Sequence, residues 1–127
     1  MSDKELLDYF GKKFIKHARD QAIFIFESTL SGKMKSERLI TLSNELKCFD
    51  ENQIDILRKA IFMSIDEVIY NTLDMLEQNE ESMKLFISKE GNDNGERNAV
   101  KISDGLSGEL FSEDGWIAKF SKYREYE

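Results

Sequence analysis

Apolar residues recur every three or four positions through the first 78 residues of this chain, and no proline interrupts them. This spacing is typical of amphipathic helices and predicts three of them. Ser2, with a glutamate three residues later, favours the start of the first helix, and the Ser31-Gly32 pair favours its end. Gly11 is expected to weaken that helix locally, and a capping pair at Asp50 predicts where the third begins. The expected ranges are about 2–32, 36–48 and 51–78.

The pattern changes after residue 82. The segments MKLFISKE (83–90) and ERNAVKIS (96–103) alternate apolar and polar side chains, as strands with one buried face do. The intervening GNDNG segment favours a turn, because glycine and asparagine tolerate positive φ angles. These features together predict a β-hairpin.

A last helix is expected after the hairpin. Ser112 precedes two acidic residues, which favour a helix N-terminus, and an aromatic face follows with Trp116, Phe120 and Tyr123. A chain of 127 residues has enough side chains for one core. We therefore expect a single domain over residues 1–127 of the α+β class, mainly α, in the order α-α-α-β-β-α: three N-terminal helices, a β-hairpin and a C-terminal helix.

The charge of the chain is uneven. Residues 1–38 carry eight Lys or Arg and six Asp or Glu, a net charge of +2. Because the whole chain has a net charge of −7, residues 39–127 have a net charge of −9. A negative field of this kind repels nucleic-acid phosphates and anionic membranes and attracts basic proteins. Lys12, Lys13, Lys16 and Arg19 are expected on the polar side of the first helix. The single cysteine, Cys48, is expected to fill core space in a cytoplasmic protein.

The segment DGLSGELFSEDGW (104–116) contains three glycines, four carboxylates and the only tryptophan. Its Gly105-Leu-Ser-Gly108 spacing matches a nucleic-acid clamp, but the neighbouring carboxylates would repel phosphate. We expect a connector whose glycines permit tight turns. The alternative is a small hydrolase-like enzyme that uses Glu109, Glu113 or Asp114 near Trp116.

Neither candidate metal site has the residues that a metal requires. Glu90–Lys101 has oxygen ligands at several EF-hand positions, but Lys101 replaces the bidentate glutamate at the twelfth, so a hairpin turn is expected. His17 is the only histidine and has no nearby thiol or second histidine, so it is expected at the surface. We expect no metal, no cofactor and no catalytic residue.

The third helix carries an acidic run. Between residues 60 and 83 there is no Lys or Arg, while several carboxylates share one broad face around Tyr70. Carboxylates on one face are most simply solvated, but around an aromatic anchor they also suit docking of a basic protein. The candidate partner-binding residues are Asp66, Glu67, Tyr70, Asp74, Glu77, Glu80, Glu81 and, near the terminus, Tyr126.

The tail SDGLSGELFSEDGWIAKFSKY (103–123) resembles the end of small bacterial cytoplasmic proteins, among them proteins of the polymorphic-toxin immunity type. Such proteins inhibit a cognate toxin by covering its active site. The resemblance implies a non-enzymatic inhibitor whose partner is often a basic nuclease, and it carries over no contact residues.

The leading hypothesis is a non-enzymatic binding protein that neutralises a basic protein partner, such as a cognate toxin, through its acidic surface. Direct binding to nucleic acid or to a membrane is not expected. Besides the small enzyme, the other alternative is a structural subunit that completes its apolar surface by self-association.

Overall fold

The computed structural model describes residues 1–89 and 95–124. The chain is mainly helical and contains a two-stranded antiparallel sheet, so the α+β, mainly α class expected from the sequence is confirmed. In chain order the elements are α1 (Asp3–Phe14), a π-helical segment (Ile15–Asp20), α2 (Gln21–Leu30), α3 (Glu37–Leu46), α4 (Glu51–Gln78), β1 (Phe86–Ile87), β2 (Arg97–Asn98), α5 (Ala99–Ile102), a 3-10 segment (Ser107–Glu109) and α6 (Trp116–Phe120).

The first three elements form one uninterrupted helix, because the backbone stays right-handed helical at both junctions. At its start, the Ser2 side chain accepts a hydrogen bond from the Glu5 N–H at 3.1 Å. At its end, Gly32 has a φ of +72°, and the Lys33 N–H donates to the Ser28 carbonyl at 2.9 Å. This is the left-handed glycine stop typical of helix C-termini. The predicted start and stop of the first helix are confirmed.

α4 has the bounds expected from the sequence. The Gln53 N–H donates to the Asp50 carboxylate at 2.8 Å, and the Gln53 side chain accepts from the Asp50 N–H at 2.9 Å, which completes the predicted capping box. Ile69 and Leu73 of α4 are buried in the same core as Ile15 of the π-helical segment. α3 packs against α2 near the other end of this helix pair.

The hairpin is much shorter than its alternation of side chains predicted. Phe86 pairs with Asn98 and Ile87 with Arg97, and the residues after this pairing turn into the short helix α5. The cause is Asn98, whose side chain accepts a hydrogen bond from the Val100 N–H at 3.1 Å and so caps a helix where a strand was expected. The GNDNG turn was expected at residues 91–95, and the rejected calcium loop covers residues 90–101. Residues 90–94 of both segments lie outside the described residues.

The last helix also differs from its prediction. It starts at Trp116 instead of Ser112, because the backbone first folds back tightly: a Cβ atom on Gly115 would lie 2.7 Å from the Leu110 carbonyl oxygen. It ends at Phe120, before Tyr123. The cause is Asp20, whose carboxylate accepts hydrogen bonds from the Ser121 hydroxyl at 2.6 Å and the Lys122 N–H at 2.8 Å.

Two single residues of the sequence analysis have clear positions. His17 is exposed in the π-helical segment, as expected. Cys48 was expected in the core, but it is exposed in the turn that follows α3. The positions three and four residues from Cys48 are all polar, so its neighbours in the sequence gave no support for a core position.

Candidate functional site

A buried arginine in the π-helical segment binds the last described residues of the chain. Arg19 was expected on the polar side of the first helix, but its side chain has no exposed surface. A π-helical turn contains more residues than an α-helical turn, so the side chains of adjacent residues point in more similar directions. The side chains of Arg19 and Asp20 are therefore both buried on the inner face of this segment. The Arg19 guanidinium donates to Asp66 Oδ1 at 2.6 Å and to Ser121 Oγ at 2.8 Å. It also donates to the carbonyls of Tyr123 and Arg124, which anchors the last described residues to the helix.

The segment after α5 returns along one face of α4. At one end, the Ser107 N–H donates to the Glu77 carboxylate. In the middle, the ring of Phe111 stacks on the ring of Tyr70, with centroids 6.0 Å apart and planes inclined by 28°. At the other end lies the Arg19–Asp66 ion pair. The face that carries the acidic run is therefore the face on which the loop lies.

A cleft of about 440 Å³ opens between α4 and this returning segment. Its walls are mostly apolar, with two carboxylates and one guanidinium among them. Phe111 is 49% exposed at its edge, although the ring is stacked on Tyr70. The residues that line the cleft are Asp66, Leu110, Phe111, Ser112, Glu113, Ile117, Ala118 and Arg124.

The candidate partner-binding residues divide into two groups. Asp66 and Glu77 have internal partners, Arg19 and Ser107, and Tyr70 is half-buried against Phe111. The remaining carboxylates make no hydrogen bond or ion pair within the described part of the chain. Among these, Asp74 is half-buried, and Glu67, Glu80 and Glu81 are exposed. Tyr126 lies outside the described residues.

The carboxylates of the 104–116 loop do not form one cluster. Glu113 lines the cleft, and Asp114 is exposed next to it in sequence. Glu109 lies near Lys4, whose pKa is raised mainly by its hydrogen bond to Asp8 and, least, by the charge of Glu109. Trp116, expected beside the enzymatic carboxylates, is 1% exposed and packs edge-on against Phe10.

The Gly105-Leu-Ser-Gly108 spacing has no phosphate-binding geometry. The Ser107 N–H, which a phosphate would need, already donates to Glu77. A Cβ atom on either glycine would meet no atom within 4 Å, so neither glycine is required by a close contact. The turn that does require glycine is the one at Gly115.

Sequence reasoning missed Arg19, Phe111 and Arg124. Phe111 and Arg124 carried no detectable signal, since both are contacts between distant parts of the chain. A signal for Arg19 existed: Arg19 and Asp20 are adjacent charges inside a long apolar repeat, between Ala18 and Ala22. Charges at such positions are paired when buried.

Comparison of the chain with models of protein families, with curated proteins and with solved structures finds no match in any of the three. In residues 1–89 and 95–124, no three or more His, Cys, Asp or Glu side chains are grouped so as to hold a metal ion. No helix in the described part of the chain has both the length and the apolar character needed to cross a membrane.

Proposed function

We propose that this chain is a non-enzymatic inhibitor, of the immunity-protein type, that binds a basic protein partner. The observation that carries the proposal is the stack of Phe111 on Tyr70, which joins the acidic run of α4 to the acidic loop. The resulting surface, here called the acidic platform, consists of Glu67, Tyr70, Asp74, Phe111 and Glu113.

The composition of the acidic platform suits an interface. Protein interfaces place aromatic side chains at the centre and polar groups at the rim. Here the two aromatic rings lie against each other, and Phe111 keeps about half of its surface exposed. Glu67, Asp74 and Glu113 have no internal hydrogen bond or ion pair among the described residues. Their charges are therefore available to a partner.

The acidic platform is also held in place before binding. Tyr70 and Asp74 lie on a 28-residue helix. The returning segment is fixed to that helix at one end by Glu77, and at the other by Arg19, which binds both the Arg124 carbonyl and Asp66 of α4. A surface that is already ordered loses less conformational entropy on binding. Asp66 and Glu77 thus support the surface through internal contacts, while the free carboxylates around them meet the partner.

Electrostatics favours a basic partner. No Lys or Arg occurs between residues 60 and 83, and the whole chain has a net charge of −7. Long-range attraction of this kind raises the association rate at low salt and decreases as salt screens it.

The test is affinity capture from the lysate of the source organism at low salt, with elution by a salt gradient. We expect one basic polypeptide near one-to-one stoichiometry, retained by the unaltered chain and lost with Phe111→Ala. The matched control is Phe24→Ala on α2, since Phe24 is 50% exposed and Phe111 49%. Retention of the partner by Phe111→Ala, or loss with both variants, would contradict the proposal.

A second candidate function, self-association, is favoured by a separate apolar groove. This groove, of about 450 Å³, lies between the first helix and α4 and is lined by no charged residue among those described. Val68 in the groove is 65% exposed. A monomeric mass by light scattering at high protein concentration would remove this candidate. The groove residues are Phe14, Ala18, Ala22, Ser64, Ile65, Val68, Ile69 and Thr72.

A further inference from the structure

We propose that the cleft beside Phe111 receives a single arginine side chain of the basic partner. This inference rests on the proposed function, and it adds which chemical group of the partner is recognised and where. The acidic platform would supply general attraction, and the cleft would supply the specific contact.

The size and walls of the cleft suit one long side chain. Its volume of about 440 Å³ lies in the range typical of ligand sites, roughly 300–1,000 Å³. Phe111 and the half-buried Ala118 expose apolar surface in the lining, which also includes the buried Leu110 and Ile117, and the aliphatic part of an arginine can lie along this wall. The same wall offers nothing to a small, fully hydrated ion.

The charges at the cleft leave room for one cation. The lining of the cleft contains two carboxylates, those of Asp66 and Glu113, and one guanidinium group, that of Arg124. The sum of these three charges is −1, so one monovalent cation neutralises the lining. Binding of an anion would add to a net charge that is already negative.

Two carboxylates have oxygen atoms free to accept hydrogen bonds. Asp66 uses Oδ1 for Arg19, and its Oδ2 has no hydrogen-bond partner among the described residues. Glu113 is exposed and has no internal partner in the described chain. Arg124 is the competing cation in the lining, but its side chain is exposed and makes no described hydrogen bond, so it can move aside while its carbonyl stays bound to Arg19.

The aromatic edge favours arginine over lysine. Phe111 is braced by Tyr70 and exposes part of its ring at the cleft. A planar guanidinium stacks on such a ring and can bind a carboxylate through two parallel hydrogen bonds, whereas an ammonium group is a compact and strongly hydrated charge.

The experiment is an NMR titration of the full, isotope-labelled chain with Nα-acetyl-arginine amide, which carries one positive charge. We expect saturable shifts at the backbone amides of Phe111, Glu113 and Ile117, with a dissociation constant on the order of 1–10 mM for one isolated side chain. Nα-acetyl-citrulline amide is nearly the same shape but neutral, and it should give no saturable shift. Nα-acetyl-lysine amide should bind at least about threefold more weakly.

A matched pair of variants locates the site. Glu113→Gln should weaken binding of the arginine compound by about fivefold or more, because it removes a charge-assisted hydrogen bond. Glu80→Gln removes an exposed, unpaired carboxylate outside the cleft lining and should leave binding unchanged. Equal binding of the citrulline compound, or shifts that spread over the acidic run without saturating, would overturn the inference. Both of these overturning outcomes are measured on the unaltered chain, so they do not depend on whether a variant folds.

The outcomes separate this inference from the proposed function. If the arginine compound does not bind, while a captured basic partner is still lost with Phe111→Ala, the arginine inference fails and the proposed function stands. If the compound binds in the cleft but no basic partner depends on Phe111, the cleft remains an arginine site and the proposed function fails.

Discussion

The indole of Trp116 lies directly against Gly11, where a Cβ atom would come within 2.4 Å of the ring. Trp116 is 1% exposed and also meets Phe10 edge-on, with ring centroids 5.5 Å apart. Gly11 was expected only to weaken the first helix. Its role is to admit the largest buried side chain, which holds the C-terminal part of the chain against α1.

This contact predicts the sign of one substitution. Alanine is the better helix former by about 1 kcal/mol, so Gly11→Ala would be stabilising on a free helix. Against the buried ring, the added methyl group should instead lower the free energy of unfolding by about 1–3 kcal/mol. Urea unfolding measures the difference.

The matched control for this prediction is Gly108→Ala, since a Cβ atom there would meet nothing within 4 Å. Its unfolding free energy should stay within about 0.5 kcal/mol of the unaltered chain. Equal or higher stability of Gly11→Ala would show that moving the tryptophan costs no more than the helix gain of about 1 kcal/mol, and it would contradict the role assigned to Gly11.

The Arg19–Asp66 ion pair predicts that two aspartates of α4 differ in their effect on stability. Asp66→Asn removes the charge that faces a fully buried guanidinium and should lower the free energy of unfolding by about 1–3 kcal/mol. Asp74→Asn, on the same helix but without an internal partner in the described chain, should change it by less than about 0.5 kcal/mol. Chemical denaturation of both variants tests this, and equal effects would contradict the structural role of Asp66.

Local features of the fold could be predicted from the sequence, and long-range contacts could not. The start of the first helix, the glycine stop at Gly32 and the bounds of α4 depend on residues a few positions apart, and these predictions are confirmed. The prediction of a strand over residues 96–103 was wrong beyond Asn98, because the Asn98 side chain caps a helix there in spite of the alternating pattern.

The same distinction applies to the candidate site. The acidic run of α4 is visible in the sequence as an absence of basic residues. The partner of Asp66 is 47 positions away, on a π-helical segment that no spacing indicated, and that of Glu77 is 30 positions away. Which carboxylates are free and which are bound internally therefore depends on how the C-terminal segment returns along α4, and periodicity carries no information about that path.

The lowered pKa of Asp8 predicts how the stability of the fold depends on pH. Burial by itself would raise the pKa of Asp8, but hydrogen bonds from Lys119 and Lys4, together with their charges, outweigh it and hold the pKa below its ordinary value of 3.8. A carboxyl group with a lowered pKa in the folded state stabilises the fold above its unfolded pKa, and this contribution is lost as the pH falls through the folded pKa.

Asp8→Asn should therefore lower the free energy of unfolding at neutral pH by a few tenths of a kcal/mol up to about 1 kcal/mol. The difference should shrink as the pH falls below 3.8 and through the lowered pKa of Asp8, where Asp8 itself becomes protonated. Glu67→Gln, which removes an exposed carboxylate without an internal partner in the described chain, is the control and should show neither effect. A difference that stays constant across this pH range would refute the assigned role of the Lys119–Asp8 contact.

The most direct measurement of the central claim uses the partner recovered by capture. Its association rate with the chain is measured across a range of salt concentrations, for the unaltered chain and for Glu67→Lys combined with Asp74→Lys. Both substituted carboxylates are free of internal partners in the described chain, so the fold should persist. Our account predicts an association rate about tenfold or more slower for the double variant at low salt, and rates that converge as salt is raised. Identical rates at every salt concentration would contradict an interface on the acidic platform.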